Sequence, residues 1–412
     1  MVRNLFDVIN TPGYVTLIEG QPGVGKTTLA LKACTSREKC TYISYADPER
    51  SIAEKAKRLG STADMKVINM MSGNAEIAFS SIKSALTENR LVIVDSIDAM
   101  FYGIRDEKDF RPFLQLLYSS VKGKDASVVM ISEGLNPVAQ QIRFVCDAII
   151  SMGYKNVFGQ NVRAARLVKD RDNKIQYSKI YFTMVDGMRI FYPIDFNVKH
   201  DIKRINHIKR GLAAEPSSVI RLGSTVLAEI DDGVPYVIAK QYMEFIIFDY
   251  LLEGYKVNFL VPPDETTESI LDDIRVIGDK SKNIRIIHPD AGAADYDPGK
   301  FTEQLKLQMF KGPTVDVVDL LSEENFAIMQ PSNFELFLMK ILELNQKNKS
   351  MAHIFGYSNL NATKLEKKYV KLHRRFAAID GLLISRSIKP LGPLLYVRID
   401  PEAGEMEFIE MN

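Results

Sequence analysis

Short apolar runs rich in valine and isoleucine alternate along the chain with longer segments whose apolar positions return every three or four residues. The first pattern predicts buried strands and the second amphipathic helices. Strands are expected at 14–19, 40–45, 65–70, 90–95, 127–133 and 145–151. Helices are expected at 28–33, 51–59, 75–86 and 110–118. Before them, 5–9 forms a short amphipathic turn that Pro12-Gly13 breaks. Segments 163–168 and 179–184 predict an antiparallel closing pair around the charged residues 169–174, and this half ends near 186–191. Strands alternating with helices imply an α/β fold, a mostly parallel sheet with helices on both faces.

The first predicted strand runs into Gly20-Gln21-Pro22-Gly23-Val24-Gly25-Lys26-Thr27, followed by Thr28 and good helix formers. Strand, glycine-rich loop and helix start form the context of a phosphate-binding loop, with spacing G-x-x-x-x-G-K-[ST]. Glycines let the backbone turn sharply so that several N–H groups face one phosphate, and the helix N-terminus adds partial positive charge. Residues 20–28 are therefore the candidate nucleotide cradle. Lys26 would reach the terminal phosphates of ATP and the Thr27 hydroxyl would ligate Mg²⁺. At 90–97 an apolar run ends in Asp95-Ser96. A central parallel strand with a carboxylate at its C-terminal end puts that carboxylate at the ligand crevice. Asp95 then joins Thr27 as a candidate metal residue, against the alternative of a plain helix cap.

On these residues the first half resembles the RecA-superfamily ATPases, in particular the KaiC-like branch. The shared features are the phosphate loop, an acidic tip after the second strand, the apolar-Asp strand, a strand ending Ser132-Glu133 and a closing hairpin with Lys-x-Arg. Within the branch the layout is most similar to the archaeal gas-vesicle regulatory ATPases. The resemblance covers residues 1–195 and implies a RecA-like domain that binds MgATP. It implies a catalytic glutamate pair at a position held here by Ala46 and Asp47, with Glu49 two residues on. The first acid is missing, so the implied hydrolysis is slow or rests on Asp47; the alternative is that Asp47-Pro48 only opens the following helix. The resemblance further marks Glu133 at the tip of its strand, and Lys169 and Arg171 as fingers reaching a neighbouring subunit's γ-phosphate. That role would require a ring or head-to-tail pair; a solvated hairpin tip is the alternative.

Residues 196–222 read as a linker with a basic face at 199–210. From 223 to 412 the chain resembles a worn copy of the first half. Aligning Glu229 with Glu19 sets Gly233-Val234 on Gly23-Val24 and replaces Gly25, Lys26 and Thr27 by Pro235, Tyr236 and Val237. The strand at 256–261, the acidic tip Asp264-Glu265, 326–330 in the place of the Asp95 strand with Gln330 for its carboxylate, 351–356 and 394–399 complete the comparison. This predicts a second, degenerate RecA-like domain that does not bind MgATP. Residues 364–375 predict an amphipathic helix with a basic face, a second candidate for contact with nucleic acid or an acidic partner.

Fifty-three basic and fifty-two acidic side chains leave a net charge of +1, which gives no global pull toward nucleic acid or membrane. Three cysteines without metal-site spacing argue against a disulfide framework and suit a reducing cytoplasm. No apolar run is long enough to span a membrane, and no signal peptide is expected. The leading expectation is a cytoplasmic, oligomeric, slow ATPase that controls assembly or a protein partner. A nucleic-acid motor or recombinase paralogue and an autokinase are the rivals.

Overall fold

A computed structural model describes residues 5–411 except 36–38, 61–63, 72–74, 89, 102–106, 135–136, 174, 176–178, 186, 192, 194–222, 262–273, 275–277, 289–297, 322–330, 359–369 and 401–404. The chain divides into two compact units, Met1–Phe191 and Tyr192–Met411. The basic stretch 199–210, the tip Asp264-Glu265 and residues 326–330 lie outside the described residues.

In the first unit α1 (Leu5–Ile9) precedes β1 (Val15–Gly20), α2 (Lys26–Thr35), β2 (Lys39–Ser44), α3 (Glu49–Arg58), β3 (Asp64–Asn69), α4 (Ala75–Glu88) and β4 (Leu91–Asp95). Then come α5 (Ile97–Met100), α6 (Glu107–Val121), β5 (Ser127–Ser132), α7 (Pro137–Val145), β6 (Ala148–Val157), β7 (Gln160–Asp170), β8 (Ile180–Thr183) and β9 (Arg189–Phe191). The strands form one nine-stranded sheet in the order β3-β2-β4-β5-β1-β6-β7-β8-β9. Pairing is parallel from β3 to β6 and antiparallel from β6 to β9. β1, β4 and β5 are buried on both faces, so they read as unbroken apolar runs rather than alternating ones. Leu29, Ala30 and Ala33 of α2 pack on Tyr42, Leu91 and Ile93 on one face of the sheet. Val92 and Val94 pack with Ile82, Leu114 and Leu117 on the other.

The second unit contains β10 (Thr225–Ile230), α8 (Tyr236–Leu252), β11 (Val257–Leu260), β12 (Ile284–Ile287), α9 (Pro298–Gln308), β13 (Val315–Leu320), α10 (Pro331–Asn348) and β14 (Met351–Tyr357). It closes with β15 (Leu372–Ile379), β16 (Leu382–Lys389), β17 (Leu394–Asp400) and β18 (Glu405–Glu410). The sheet order is β12-β11-β13-β14-β10-β15-β16-β17-β18. Counted from the first strand of each unit, the two orders are identical, and the chain is a tandem of RecA-like α/β units. Parallel pairing again gives way to antiparallel on the far side of β15.

Three expectations are corrected. The counterpart of β4 is β13, not 326–330. Asp95 pairs with Ile131, which pairs with Ile18; Asp319 pairs with Phe355, which pairs with Ala228. Glu229 aligned with Glu19 sets Ala228 on Ile18, so Asp319 takes the place of Asp95 and the carboxylate is retained. The chain between β12 and β14 holds two apolar runs, 315–320 and 326–329, and only strand pairing tells them apart.

The basic helix expected at 364–375 is not a helix at its described end, since Leu372 to Arg375 open β15. Arg374 is buried, its guanidinium over the Phe408 ring, and Arg375 pairs with Asp231 at 2.7 Å. β15 lies inside the sheet, where long arginine stems are packed rather than displayed.

Cys34 and Cys40 form a disulfide. Cys34 near the end of α2 and Cys40 near the start of β2 have their Cα atoms 5.7 Å apart, within disulfide reach. An odd cysteine count carries no information about such a local pair. Cys146 remains a buried thiol, and burial pushes its pKa up to about 12.

Candidate active site

The loop leaves β1 at Gly20, whose φ is 153°. A Cβ there would lie 2.3 Å from the Met152 carbonyl oxygen of β6, so only glycine fits between the strands. Gly25, with φ of 103°, turns the chain into α2. Val24 is fully buried and anchors the middle of the loop in the core. Tyr154 of β6 donates its hydroxyl to the Gly23 carbonyl oxygen at 3.0 Å and ties the loop to the sheet. Gln21, Pro22 and Gly23 are exposed, which leaves the outer rim of the loop open.

Lys26 Nζ donates to the carbonyl oxygens of Gly20 at 2.6 Å and Gln21 at 3.0 Å, so the ammonium is held over the cradle. Burial lowers its pKa from the usual lysine value, while the charges of Glu133, Asp95 and Asp98 pull it back up. Thr27 Oγ1, on the first turn of α2, donates to Asp95 Oδ2 at 2.7 Å. Tyr42 of β2 donates its hydroxyl to the same oxygen. Burial, then the Asp95 charge, raises the Tyr42 pKa well above its usual value, so the phenol stays protonated as a donor.

Asp98 of α5 accepts from Ser132 Oγ at 3.0 Å and from the Glu133 backbone N–H at 2.7 Å. It thereby fastens the tip of β5 to the end of β4, and Ser132 Oγ in turn accepts from the Gly134 N–H at 3.0 Å. Glu19, the buried residue before the loop, pairs with Arg143 of α7. The donor set fits a magnesium-bound nucleoside triphosphate. A hydroxyl and a carboxylate meet at the mouth of a glycine cradle, and a lysine lies over it. Thr27 and Asp95 would hold Mg²⁺ there, and the ion would supply positive charge against the phosphates.

The remaining predicted residues lie farther apart. Asp47 is pinned through its backbone by Ser44 Oγ (3.0 and 2.7 Å), and its carboxylate bonds Lys55 Nζ of α3 at 2.6 Å. Glu49 is the exposed first residue of α3, where its charge suits the helix N-terminus. Lys169 and Arg171 lie toward the opposite end of the sheet, because β7 runs antiparallel and sets Lys169 beside Ile149. Lys169 Nζ donates to the carbonyl oxygens of Arg143 and Cys146 at 3.0 and 2.7 Å, capping the C-terminus of α7. Arg171 bonds the carboxylate of Asp147, whose side chain is fully buried, at 3.0 Å and the Tyr118 hydroxyl beside it.

Tyr42, Asp98 and Tyr154 are the contributors that reading the sequence missed. For Tyr42 the available signal was positional: it pairs with Ile93, two residues before Asp95 and on the same face. A diagonal neighbour with a long side chain reaches across that spacing. In the second unit the corresponding loop has Tyr236 in place of the lysine and Val237 in place of the threonine. Glu229 pairs there with His373 at 2.5 Å, and Asp231 with Arg375.

The fold and this constellation define the first unit as a P-loop ATPase domain of the RecA type. Residues 10–193, less than half of the chain, match the ATPase family described as KaiC, to which this part of the chain is similar. The DNA repair protein RadA of Mycolicibacterium smegmatis is 35% identical over 92 residues, covering 21% of this chain and 19% of that protein. The protein of the same name from Mycobacterium tuberculosis is 31% identical over 93 residues, 22% of this chain and 19% of its own length. The chain thus aligns with about a fifth of the length of these relatives. Among the described residues no helix is long and apolar enough to cross a membrane.

Proposed function

We propose that the first unit binds MgATP and hydrolyses it slowly, and that its nucleotide state governs assembly or the binding of a protein partner in the cytoplasm. One observation carries the binding step: Thr27 Oγ1 meets Asp95 Oδ2 at 2.7 Å at the mouth of the 20–27 loop. Slow turnover rests on Ala46 standing where the KaiC-like family has a glutamate, and on Lys55 already holding Asp47. A misplaced catalytic group costs on the order of 10²-fold in rate. The regulatory output follows the resemblance to the gas-vesicle regulators, and a homo-oligomer with Lys169 and Arg171 facing a neighbour remains part of the proposal. Either side chain would have to leave its bonds within the subunit to reach a neighbour's phosphate.

The second reading is a nucleic-acid-associated motor, favoured by the stretch shared with DNA repair proteins. It is weakened by the burial of Arg374 and by the ion pair that Arg375 makes with Asp231. Titration calorimetry with MgATP on the wild type and Lys26→Ala tests the first reading. Loss of binding in the variant is expected, and unchanged affinity would sink the site. Filter binding against salt tests the second, which requires a steep negative slope.

A further inference from the structure

We propose that Tyr42 is a positioning residue of the metal site, its hydroxyl holding the Asp95 carboxylate in the orientation that serves Mg²⁺. The proposal rests on the MgATP reading of the 20–27 loop.

Asp95 Oδ2 accepts from both Thr27 Oγ1 and the Tyr42 hydroxyl, which together match the two lone pairs of one carboxylate oxygen. Oδ1 takes neither bond and is the oxygen left for the metal's hydration shell. With Thr27 alone, the carboxylate could rotate about its last torsion and trade one oxygen for the other. A second donor from a different element removes that freedom. Tyr42 suits the task because its ring has no exposed surface and is packed among Leu29, Ala33 and Ile93, so its hydroxyl cannot wander.

The second unit supplies an internal comparison. Tyr42 pairs with Ile93, two residues before Asp95; Phe259 pairs with Val317, two residues before Asp319. Phe259 is therefore the counterpart of Tyr42, and it is buried against Val317 and α8 in the same way. Both units keep the aromatic ring and the aspartate. Only the unit with a threonine at the loop keeps the phenol, because Thr27 becomes Val237 where Tyr42 becomes Phe259. Packing alone asks for the ring, so the hydroxyl tracks the metal hydroxyl rather than the fold.

The test uses the full chain as wild type, Tyr42→Phe, Asp95→Asn, the double variant, and Tyr45→Phe. Tyr45 is a second buried tyrosine in this region, whose hydroxyl has no hydrogen-bond partner among the described residues. Mn²⁺ binding in the presence of ADP is followed by electron paramagnetic resonance. ADP binding without metal is followed by fluorescence of a labelled analogue in chelator. Tyr42→Phe should weaken Mn²⁺ binding about tenfold, as loss of outer-shell partners does. Its metal-free ADP affinity should stay at the wild-type value, which also certifies that the variant is folded. Tyr45→Phe should match the wild type, and in the Asp95→Asn background Tyr42→Phe should have no further effect.

Wild-type Mn²⁺ affinity in folded Tyr42→Phe overturns the proposal, as do additive losses in the double variant or an equal loss in Tyr45→Phe. If the wild type takes up no Mn²⁺ with ADP present, the MgATP reading falls with it. A tight wild-type site that Lys26→Ala weakens but Tyr42→Phe does not leaves that reading standing and removes only Tyr42.

Discussion

Asp319 stands in the second sheet where Asp95 stands in the first, each paired to the same position of the strand that links it to the loop strand. The degenerate unit has thus kept its crevice carboxylate while replacing the residues that would make it useful. Pro235 offers no N–H to a phosphate, Tyr236 no ammonium and Val237 no hydroxyl. Calorimetry should therefore find one nucleotide per chain and none in Lys26→Ala. A second equivalent that survives in Lys26→Ala would place a working site in the second unit.

The loop geometry gives a stability prediction. Gly20→Ala forces a Cβ to 2.3 Å from a backbone carbonyl at a φ that alanine resists. The variant should lose more than about 1 kcal/mol in denaturant unfolding of the first unit and should bind ATP poorly. A normal midpoint would mean that β1 and β6 are farther apart than described.

Tyr154→Phe removes only the hydroxyl that bonds Gly23. A single hydrogen bond of about 0.5–1.5 kcal/mol corresponds to a roughly two- to tenfold weaker nucleotide complex. Equilibrium binding of labelled ADP reads this directly, and an unchanged Kd would show that the loop needs no tether.

Lys169 and Arg171 make opposite predictions under their two readings. Through its bond to buried Asp147, Arg171 should contribute about 1–3 kcal/mol, and Arg171→Ala should melt earlier. A finger acting only on a neighbour would instead leave melting unchanged and lower hydrolysis at constant ATP affinity. Thermal melts and turnover measured on one preparation separate the two.

His353 supplies a pH dependence. Burial pushes its imidazole down to about 4, and its ring nitrogen lies 2.9 Å from the Tyr250 hydroxyl. In the fold it is neutral, while the unfolded chain binds a proton below about 6.5. The unfolded state then holds more protons, so stability is fully present above that pH and is lost as pH falls toward 4. Relative to His353→Gln, the wild type should lose stability on the order of 3 kcal/mol between pH 6.5 and 4. Denaturant midpoints at the two pH values check it, and parallel curves would contradict a neutral buried imidazole.

Much of the first unit was legible locally. The 20–27 loop, the run into Asp95, and the helices at 49–58 and 75–88 are each written within a short window, because glycine placement and apolar periodicity act over one or two turns. The long β6–β7 hairpin was only half seen: its strands reach Val157 and restart at Gln160, and their outer ends alternate buried and exposed rather than run apolar. The failures cluster where two apolar or basic segments satisfied the same local pattern, as at 315–320 against 326–330 and at 364–375.

By itself the sequence determined the phosphate loop, its lysine and threonine, the aspartate at the end of an apolar strand, and the loss of the first two in the second half. These are contiguous patterns whose chemistry depends on residue type and spacing. Only the tertiary structure decided that Tyr42 shares Asp95 with Thr27, that Asp319 rather than Gln330 is the second carboxylate, and that Arg374 faces a core. Strand register and pairing set these relations between residues far apart in the chain, 53 positions for Tyr42 and Asp95. A one-residue slip in register would turn each such side chain to the other face of its sheet.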